Sequence, residues 1–236
     1  MTPFLAAVWI DLVLASYAVP DDVLLPLLPP GLTLDKRNGS AWCSLVGFDF
    51  SQMRVLGWSV PPVFGVCDFP EFNLRFYVRE GDRRGVVFVR ELVPTPLISL
   101  AARLTYNEKY SLARMTSRVT QVGDVRRVRH DFSVNRQAHT LAVTAHGPPR
   151  DPDEHSLEDW IKEQGWGFEQ TRGGKLIRYR VVHPHWRTYA IQDCRLSLDF
   201  ALLYGPRWRF LQSRTPDSVV LAEGSHVAIY PQSLIS

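Results

Sequence analysis

The sequence predicts a mainly β (α+β) protein whose strands form one antiparallel sheet that closes on itself. Many segments alternate apolar and polar residues with a period of two, which is the pattern of a strand with one buried face. Short turns that contain glycine separate several of these segments, which favours hairpins and therefore antiparallel pairing. So many strands must close or stack to hide their edges, and we expect a barrel.

The candidate strands follow one another along almost the whole chain. Residues 81–85 are predicted to form the turn of one hairpin and residues 122–124 the turn of another, because glycine adopts positive φ at little cost. The strands are expected near residues 5–17, 41–52, 71–80, 85–93, 111–121, 125–135, 138–147, 175–183, 186–199 and 218–230.

Short helices are expected around the sheet. Residues 20–28 begin with a proline and two carboxylates, which suit a helix N-terminus, and an internal proline limits this helix to a turn or two. Residues 96–106 carry apolar side chains at helical spacing. Ser156 is expected to cap a third helix, with Asp159 at the capping-box position. The polar, proline-rich residues 147–153 are expected to be a connection.

Length and composition favour a single domain over residues 1–236, since β domains reach this size as one unit. Hydrophobic residues make up 45% of the chain and charged residues 22%, which is enough apolar material for a substantial core. The formal net charge is only +3, and no long run of basic residues occurs. Nucleic acid is therefore not expected as a partner.

Cysteine usage and the N-terminal residues bear on location. The 3 cysteines are far apart and form no CxxC pair, which is typical of a reducing compartment. The first Lys or Arg is Lys36, and Asp11 interrupts the apolar N-terminal stretch, so a signal peptide is not expected. No apolar run approaches the roughly 20 residues that cross a bilayer. We therefore expect a cytoplasmic protein without a membrane partner.

Four segments of the first half carry a family resemblance: residues 44–48, 71–79, 85–91 and 104–110. They resemble the DUF2071 (YqjF-like) family, which is placed in the acetoacetate decarboxylase-like superfamily. Residues 13–32 also resemble the start of acetoacetate decarboxylases. The resemblance implies a closed or cone-like antiparallel β-barrel of the acetoacetate decarboxylase-like type, with a few short peripheral helices and a ligand cavity.

Two departures from the acetoacetate decarboxylases concern their chemistry. Residues 89–100 resemble the segment that carries the Schiff-base lysine, yet the corresponding positions here are Leu97 and Ile98. Ile10 stands where those enzymes carry a substrate-holding arginine. An aliphatic side chain has no lone pair with which to attack a carbonyl. The resemblance therefore implies a lyase-like scaffold without the expected catalytic lysine, and activity does not follow from the fold.

A polar face along one predicted strand forms the candidate site. Alternation places Glu71, Asn73, Arg75, Tyr77 and Arg79 on one face, opposite a strongly apolar face. Such a face is either solvated and ion-paired, or it lines the interior of a closed barrel. In the second case the arginine at position 75 offers a planar fork to a carboxylate, and the tyrosine offers a hydroxyl.

The next predicted strand carries Arg90 and Glu91, which point in opposite directions if the strand is regular. Regular alternation also places Val87 and Val89 on the face of Glu91. A carboxylate in such an apolar strand has a raised pKa unless an arginine pairs with it, and it could then act as a general acid or base. An alternative of equal standing is a buried Arg–Glu pair that fixes the strand register.

The remaining ionisable residues give weaker signals. Lys109 is the lysine nearest the candidate site, but the adjacent Glu108 favours a solvated loop over an imine-forming amine. The other lysines stand in polar or turn-like contexts. His183 and His185 could share a metal ion, but no third ligand stands at a diagnostic spacing, so no metal site is expected.

These patterns predict a small-molecule-binding barrel that could act on a small organic acid or carbonyl compound; whether it is an enzyme stays open. The alternative is a non-catalytic ligand-binding or structural protein whose polar strand faces are ion-paired. No cofactor is expected, the expected partner is a small ligand, and a homo-oligomer is compatible with the sequence. In this hypothesis Glu91 is the catalytic residue, and the substrate-binding residues are Asn73, Arg75, Tyr77, Arg90, Tyr106 and Glu108.

Overall fold

The computed structural model describes residues 2–60, 67–95, 110–171 and 173–235. The strands in chain order are β1 (Leu5–Val19), β2 (Thr33–Leu34), β3 (Ala41–Val55), β4 (Trp58–Ser59), β5 (Phe69–Glu80), β6 (Arg83–Val93), β7 (Tyr110–Leu112), β8 (Arg114–Val122), β9 (Val125–Val134), β10 (Gln137–Arg150), β11 (Trp166–Gln170), β12 (Leu176–Val182), β13 (Thr188–Ser197), β14 (Ser218–Ile229) and β15 (Ser233–Ile235). The α-helices are α1 (Asp21–Leu24), α2 (Leu157–Lys162) and α3 (Phe200–Tyr204), and 3-10 helices cover Leu25–Leu27 and Pro206–Ser213. None of these described helices has the length and apolar character needed to cross a membrane.

Within the described chain, seven strands pair into a closed ring. They follow one another as β12, β11, β6, β5, β3, β1 and β14, and β14 returns to β12 through the Val181–Ile229 and Val182–Ala228 pairs. The prediction of a sheet that closes on itself is confirmed. The predicted antiparallel pairing holds for the other strand pairs of the described chain, but the β6–β11 and β6–β7 pairings are parallel. Both partners of β6 arrive after connections longer than a hairpin turn, and such connections allow parallel pairing.

A second layer of strands covers part of the outer face of this ring. The sheet continues from β14 through β13, β10, β9 and β8, which lie outside the ring. Phe72 of β5 packs against Phe132 of β9 with 4.5 Å between ring centroids. The opposite, inner face of the ring has its own apolar cluster, to which α2 contributes two residues. Its aromatic members are Trp42, Phe48, Phe50, Phe69, Tyr77, Trp160 and Trp186.

The two predicted glycine turns are confirmed. Gly81 and Gly123 have φ values of 57° and 55° and join β5 to β6 and β8 to β9. Both glycines lie in the left-handed region of backbone conformation, which residues with a Cβ adopt only at a cost in free energy. The resulting hairpins fix the register of the strands on either side, including the candidate polar face of β5.

The helix predictions have mixed outcomes. The helix at residues 20–28 forms but leaves α geometry at Leu24, just before Pro26, as expected. The Ser156 side chain accepts a hydrogen bond from the Asp159 backbone at 3.1 Å, which confirms the predicted cap. The prediction of a connection at residues 147–153 is wrong in part, because β10 continues to Arg150. Its pairing with β13 is irregular after His146, and such a stretch tolerates prolines. The helix predicted at 96–106 lies outside the described residues.

Candidate functional site

A strip of polar side chains runs along the inner face of β5. Glu71, Asn73, Arg75 and Tyr77 are 4%, 2%, 8% and 1% exposed. They are buried because β5 lies between β3 and β6 and its inner face is enclosed by the ring and α2. The burial rules out a solvated face for these four residues. We call these four residues, with Glu91 of β6, the inner strip.

The register of the sheet places the strip against two neighbouring strands. Ser44 of β3 lies opposite Arg75, and Glu91 of β6 lies opposite Asn73. Paired residues share a face of the sheet, so Glu91 points to the inner side and is 2% exposed. The predicted gathering of these side chains on one enclosed face is therefore observed, while their roles in binding or catalysis stay predictions.

A bulge in the β5–β6 pairing changes the predicted faces of β6. Arg90 pairs with Leu74, but the next pair joins Phe88 to Arg75, so one residue of β6 is extra. Glu91 consequently shares its face with Phe88, whereas Val87 packs in the outer cluster with Leu74. The prediction that valines 87 and 89 lie on the face of Glu91 is wrong for this reason.

Arg90 points away from the inner strip, as the predicted opposition to Glu91 requires. Its Nη1 donates to the Leu203 carbonyl at 2.6 Å, and its Nε donates to Ser111 Oγ at 3.1 Å. Arg79, the last member of the predicted polar face, also leaves the strip, since its Nε donates to Asp35 Oδ1 at 2.5 Å. Among the predicted cations that the structure describes, Arg75 alone is brought to the inner strip.

Arg75 is a buried cation with few partners in the described part of the chain. Its Nη2 donates to the Ile161 carbonyl at 3.3 Å, and its guanidinium carbon lies 5.8 Å from the centroid of the Tyr77 ring. Its Nε has no hydrogen-bond acceptor among the described residues, and none of their carboxylates forms an ion pair with it. A buried guanidinium ordinarily has an anionic partner, so Arg75 marks a place where an anion would be stabilised.

Three buried hydroxyl groups extend the site from Arg75 towards β1. Tyr77 Oη lies 2.5 Å from Ser44 Oγ, which lies 2.6 Å from Ser16 Oγ. Burial raises the pKa of Tyr77 although the Arg75 charge opposes the rise, so the phenol stays protonated near neutral pH. Three hydroxyl protons serve two hydrogen bonds, so one proton of the chain is available to another acceptor. Ser16 and Ser44 were not predicted; their only signal is a small polar residue within an apolar strand face.

Asn73 presents an oxygen to the strip. Its Nδ2 donates to Glu71 Oε1 at 3.0 Å, which fixes the orientation of the amide because the oxygen could not accept from a carboxylate. Its Oδ1 is buried and has no donor among the described residues. The Asn73 end of the strip therefore offers an acceptor, whereas the Arg75 end offers donors.

Helix α2 covers the Arg75 end of the strip. The Trp160 ring packs 4.8 Å from the Tyr77 ring, and the Arg84 guanidinium lies 5.1 Å above Trp160. The last turn of the helix directs its free carbonyl groups towards cations: the Ile161 carbonyl accepts from Arg75 and the Trp160 carbonyl accepts from Arg84. These contacts exploit the partial negative charge of a helix C-terminus.

Lys162, at the end of α2, is a buried amine that sequence reasoning missed. It is 1% exposed, and its Nζ lies 2.6 Å from Glu163 Oε1, 3.3 Å from Asp159 Oδ1 and 3.1 Å from His185 Nε2. The expected polar context of Lys162 is present, but the burial of its amine was not predicted. Its neighbours 159 and 163 gave a partial signal, but His185 comes from a distant part of the sequence. These contacts hold the amine in an ion-paired cluster.

The two histidines that were considered as metal ligands, His183 and His185, have different surroundings. The Asp159, Glu163 and His185 ligand atoms lie close enough together to hold a metal ion, but the Lys162 ammonium contacts all three of these residues. His183 instead stacks on the Trp186 ring at 3.8 Å between centroids. His183 is therefore not a member of the group formed by Asp159, Glu163 and His185.

Several predicted residues lie outside the described part of the chain: Leu97, Ile98, Tyr106, Glu108 and Lys109. A separate open cleft of about 740 Å³ lies between β10 and the helices around residues 200–212. Asp199, Arg209 and Gln212 are among its lining residues, and none of the inner-strip residues takes part.

Solved structures with the same fold are acetoacetate decarboxylase-like. The acetoacetate decarboxylase of Legionella pneumophila superimposes with a TM-score of 0.65 at 12% identity, over 99% of this chain and 87% of that one. An acetoacetate decarboxylase-like enzyme of Sphingomonas wittichii RW1 gives 0.67 at 14% identity, over 100% and 94%. The enduracididine biosynthesis enzyme MppR complexed with pyruvate gives 0.64 at 15% identity, over 100% and 92%. At these identities the similarity establishes the fold alone.

Sequence comparison identifies the family. The protein YqjF of Bacillus subtilis (strain 168) is 29% identical over 179 residues, which cover 75% of this chain and 71% of YqjF. The model of the DUF2071 family, described as an uncharacterized conserved protein, matches residues 6–226. The match includes all but the first residue of β1, most of β14 and the whole inner strip. The chain therefore belongs to the DUF2071 family.

Proposed function

We propose that this chain binds a small organic acid inside the ring and that Arg75 holds the anionic group. The observation that carries the proposal is the environment of Arg75, which is 8% exposed and forms no ion pair with a described carboxylate. A carboxylate ligand would supply the missing charge and could accept two parallel N–H···O bonds from the guanidinium. The available hydroxyl proton of the Tyr77, Ser44 and Ser16 chain would serve the same group.

The contrast with Lys162 favours a ligand over a structural role for Arg75. Lys162 is buried too, but Glu163 and Asp159 neutralise it within the chain. Among the described residues, Arg75 instead donates to a neutral carbonyl group at 3.3 Å and lies beside the neutral Tyr77 side chain. A purely structural guanidinium would be expected to have a partner like those of Lys162, because an unpaired buried charge is destabilising.

The names of the structural neighbours agree with this ligand class. One neighbour is an acetoacetate decarboxylase, and another was solved with pyruvate, so both names refer to small acids. Their low identity prevents any transfer of residue roles. The proposed ligand class therefore depends on Arg75 and not on these names.

The proposal predicts that acids stabilise the protein through Arg75. A thermal-shift screen of small carboxylates should find ligands that raise the unfolding temperature, and at 100 times its Kd such a ligand adds about 2.7 kcal/mol to the free energy of unfolding. Arg75→Lys should weaken binding at least ~10-fold, because lysine keeps the charge but loses the planar fork. Arg90→Lys, on the outer face of the adjacent strand, is the matched control and should bind normally. Equal affinity in both variants, or no acid bound by the natural protein, would refute the proposal.

We further propose that Glu91 handles a proton if the bound acid is turned over. Its carboxyl group is buried on the inner face, opposite Asn73, in an apolar strand. Glu91→Gln should leave the affinity for the acid within ~3-fold and should lower any turnover, followed by NMR of the acid, at least ~100-fold. Turnover that survives the substitution would exclude Glu91 as the acid or base.

A further inference from the structure

We propose that the acid carries a second polar group, a hydroxyl or an ammonium, that donates a hydrogen bond to Asn73 Oδ1. This inference rests on the proposed function, because it takes the anionic group of the ligand to be at Arg75. It adds the chemical class of the ligand: a hydroxy or amino acid, as distinct from an oxo acid. The residue that sets this selectivity is Asn73.

The orientation of the Asn73 amide carries the inference. Because Nδ2 donates to Glu71 Oε1 at 3.0 Å, the amide cannot rotate to present its NH2 group without placing its oxygen against the carboxylate of that residue. The oxygen is therefore the atom presented to the strip. It is buried, and no described residue donates to it. A buried acceptor without a donor destabilises the protein unless something else donates to it.

The spacing along β5 gives the ligand its direction. Asn73, Arg75 and Tyr77 are every second residue of the strand and share one face, so successive members of the strip are roughly 6.6 Å apart along it. Donors of Arg75 and the hydroxyl chain occupy one end, and the Asn73 oxygen occupies the other. A small acid with its carboxylate at Arg75 and a donor a few atoms away satisfies both ends at once.

An oxo acid would satisfy Asn73 poorly. Its second oxygen can only accept, so it would face the Asn73 oxygen and leave both acceptors without a proton. Sites built to bond a hydroxyl or amino group reject analogues that lack the donor by large factors, because the buried partner is left unpaired. Selectivity between two ligands of equal size is therefore the consequence to measure.

The test is a calorimetric comparison of butanoate with derivatives that carry a hydroxyl, amino or oxo group at carbon 2, 3 or 4. At one of these positions the hydroxy or amino acid should bind the natural protein at least ~10-fold more tightly than the oxo acid. Asn73→Leu, which is similar in size, should bring this ratio to within ~2-fold. Circular dichroism would confirm that the variant is folded, and the ligand comparison on the natural protein stands without it.

The outcomes separate this inference from the proposed function. If hydroxy, amino and oxo acids bind equally, or the oxo acid binds most tightly, and Arg75→Lys weakens all of them, the inference is wrong and the proposed function stands. A preference for the donor-bearing acid that persists in Asn73→Leu also refutes the role of Asn73. If none of the acids binds the natural protein, both proposals fail.

Discussion

Gly224→Ala should destabilise the fold by about 3 kcal/mol or more, the largest effect we expect from a single methyl group in this chain. Gly224 lies in β14 opposite Ile10 of β1 and has a φ of 81°. A Cβ added there would lie 2.0 Å from the Trp9 carbonyl oxygen and 3.0 Å from Leu12 Cδ1. The clashing oxygen belongs to the backbone of a ring strand, so it can move only if the β1–β14 pairing is disrupted.

Two further glycines separate the causes of this loss. Gly123→Ala places a Cβ at a φ of 55° in open space, so it should show backbone strain alone, about 1 kcal/mol. Gly165→Ala has neither a positive φ nor a neighbour within 4 Å, so it should be close to neutral. Urea unfolding of the three variants measures these differences. A loss at Gly224 no larger than that at Gly123 would show that the close approach of β1 and β14 is not rigid.

Alternation predicted which side chains share a face, but not which face is enclosed. The strip Glu71, Asn73, Arg75 and Tyr77 follows from a period of two. Whether that face meets solvent depends on ring closure through the β12–β14 pairs, which join strands far apart in the chain. Short-range patterns carry no information on such pairs, so the sequence alone does not decide between a solvated and an enclosed face.

Errors in the site arose where the strands are irregular or where partners are distant in sequence. The bulge beside Arg75 shifts β6 by one residue, and every face assignment before the bulge changes with it. The burial of Lys162 was not predictable, because its environment is completed by His185, which a sequence window around the lysine does not include. The turn glycines and the Ser156 cap were predictable because each acts within a few residues.

Acidification should destabilise the fold through His130, by about 3 kcal/mol in the full titration. Burial lowers the pKa of His130 from 6.5 to about 4, a larger effect than the opposing charge of Asp131. Above pH 6.5 the imidazole is mostly neutral in both the folded and the unfolded chain, so its titration does not change the free energy of unfolding. Between 6.5 and 4 the unfolded chain binds a proton that the folded chain excludes, so stability falls as the pH falls. Below about 4 the loss is complete.

The measurement is the free energy of unfolding in denaturant, compared between the natural protein and His130→Leu from pH 8 to pH 4.5. The lowered pKa of His139 also makes stability fall as the pH falls, but it does so in both proteins and cancels in the comparison. At pH 8 the two proteins should differ by no more than about 1 kcal/mol, because neither imidazole nitrogen has a partner among the described residues. Between pH 8 and pH 5 the free energy of unfolding of the natural protein should fall by about 2 kcal/mol more than that of the variant. Parallel pH profiles would mean that His130 takes up its proton equally well in the folded state. A buried imidazolium beside Gly47 would then need an anion or water next to it.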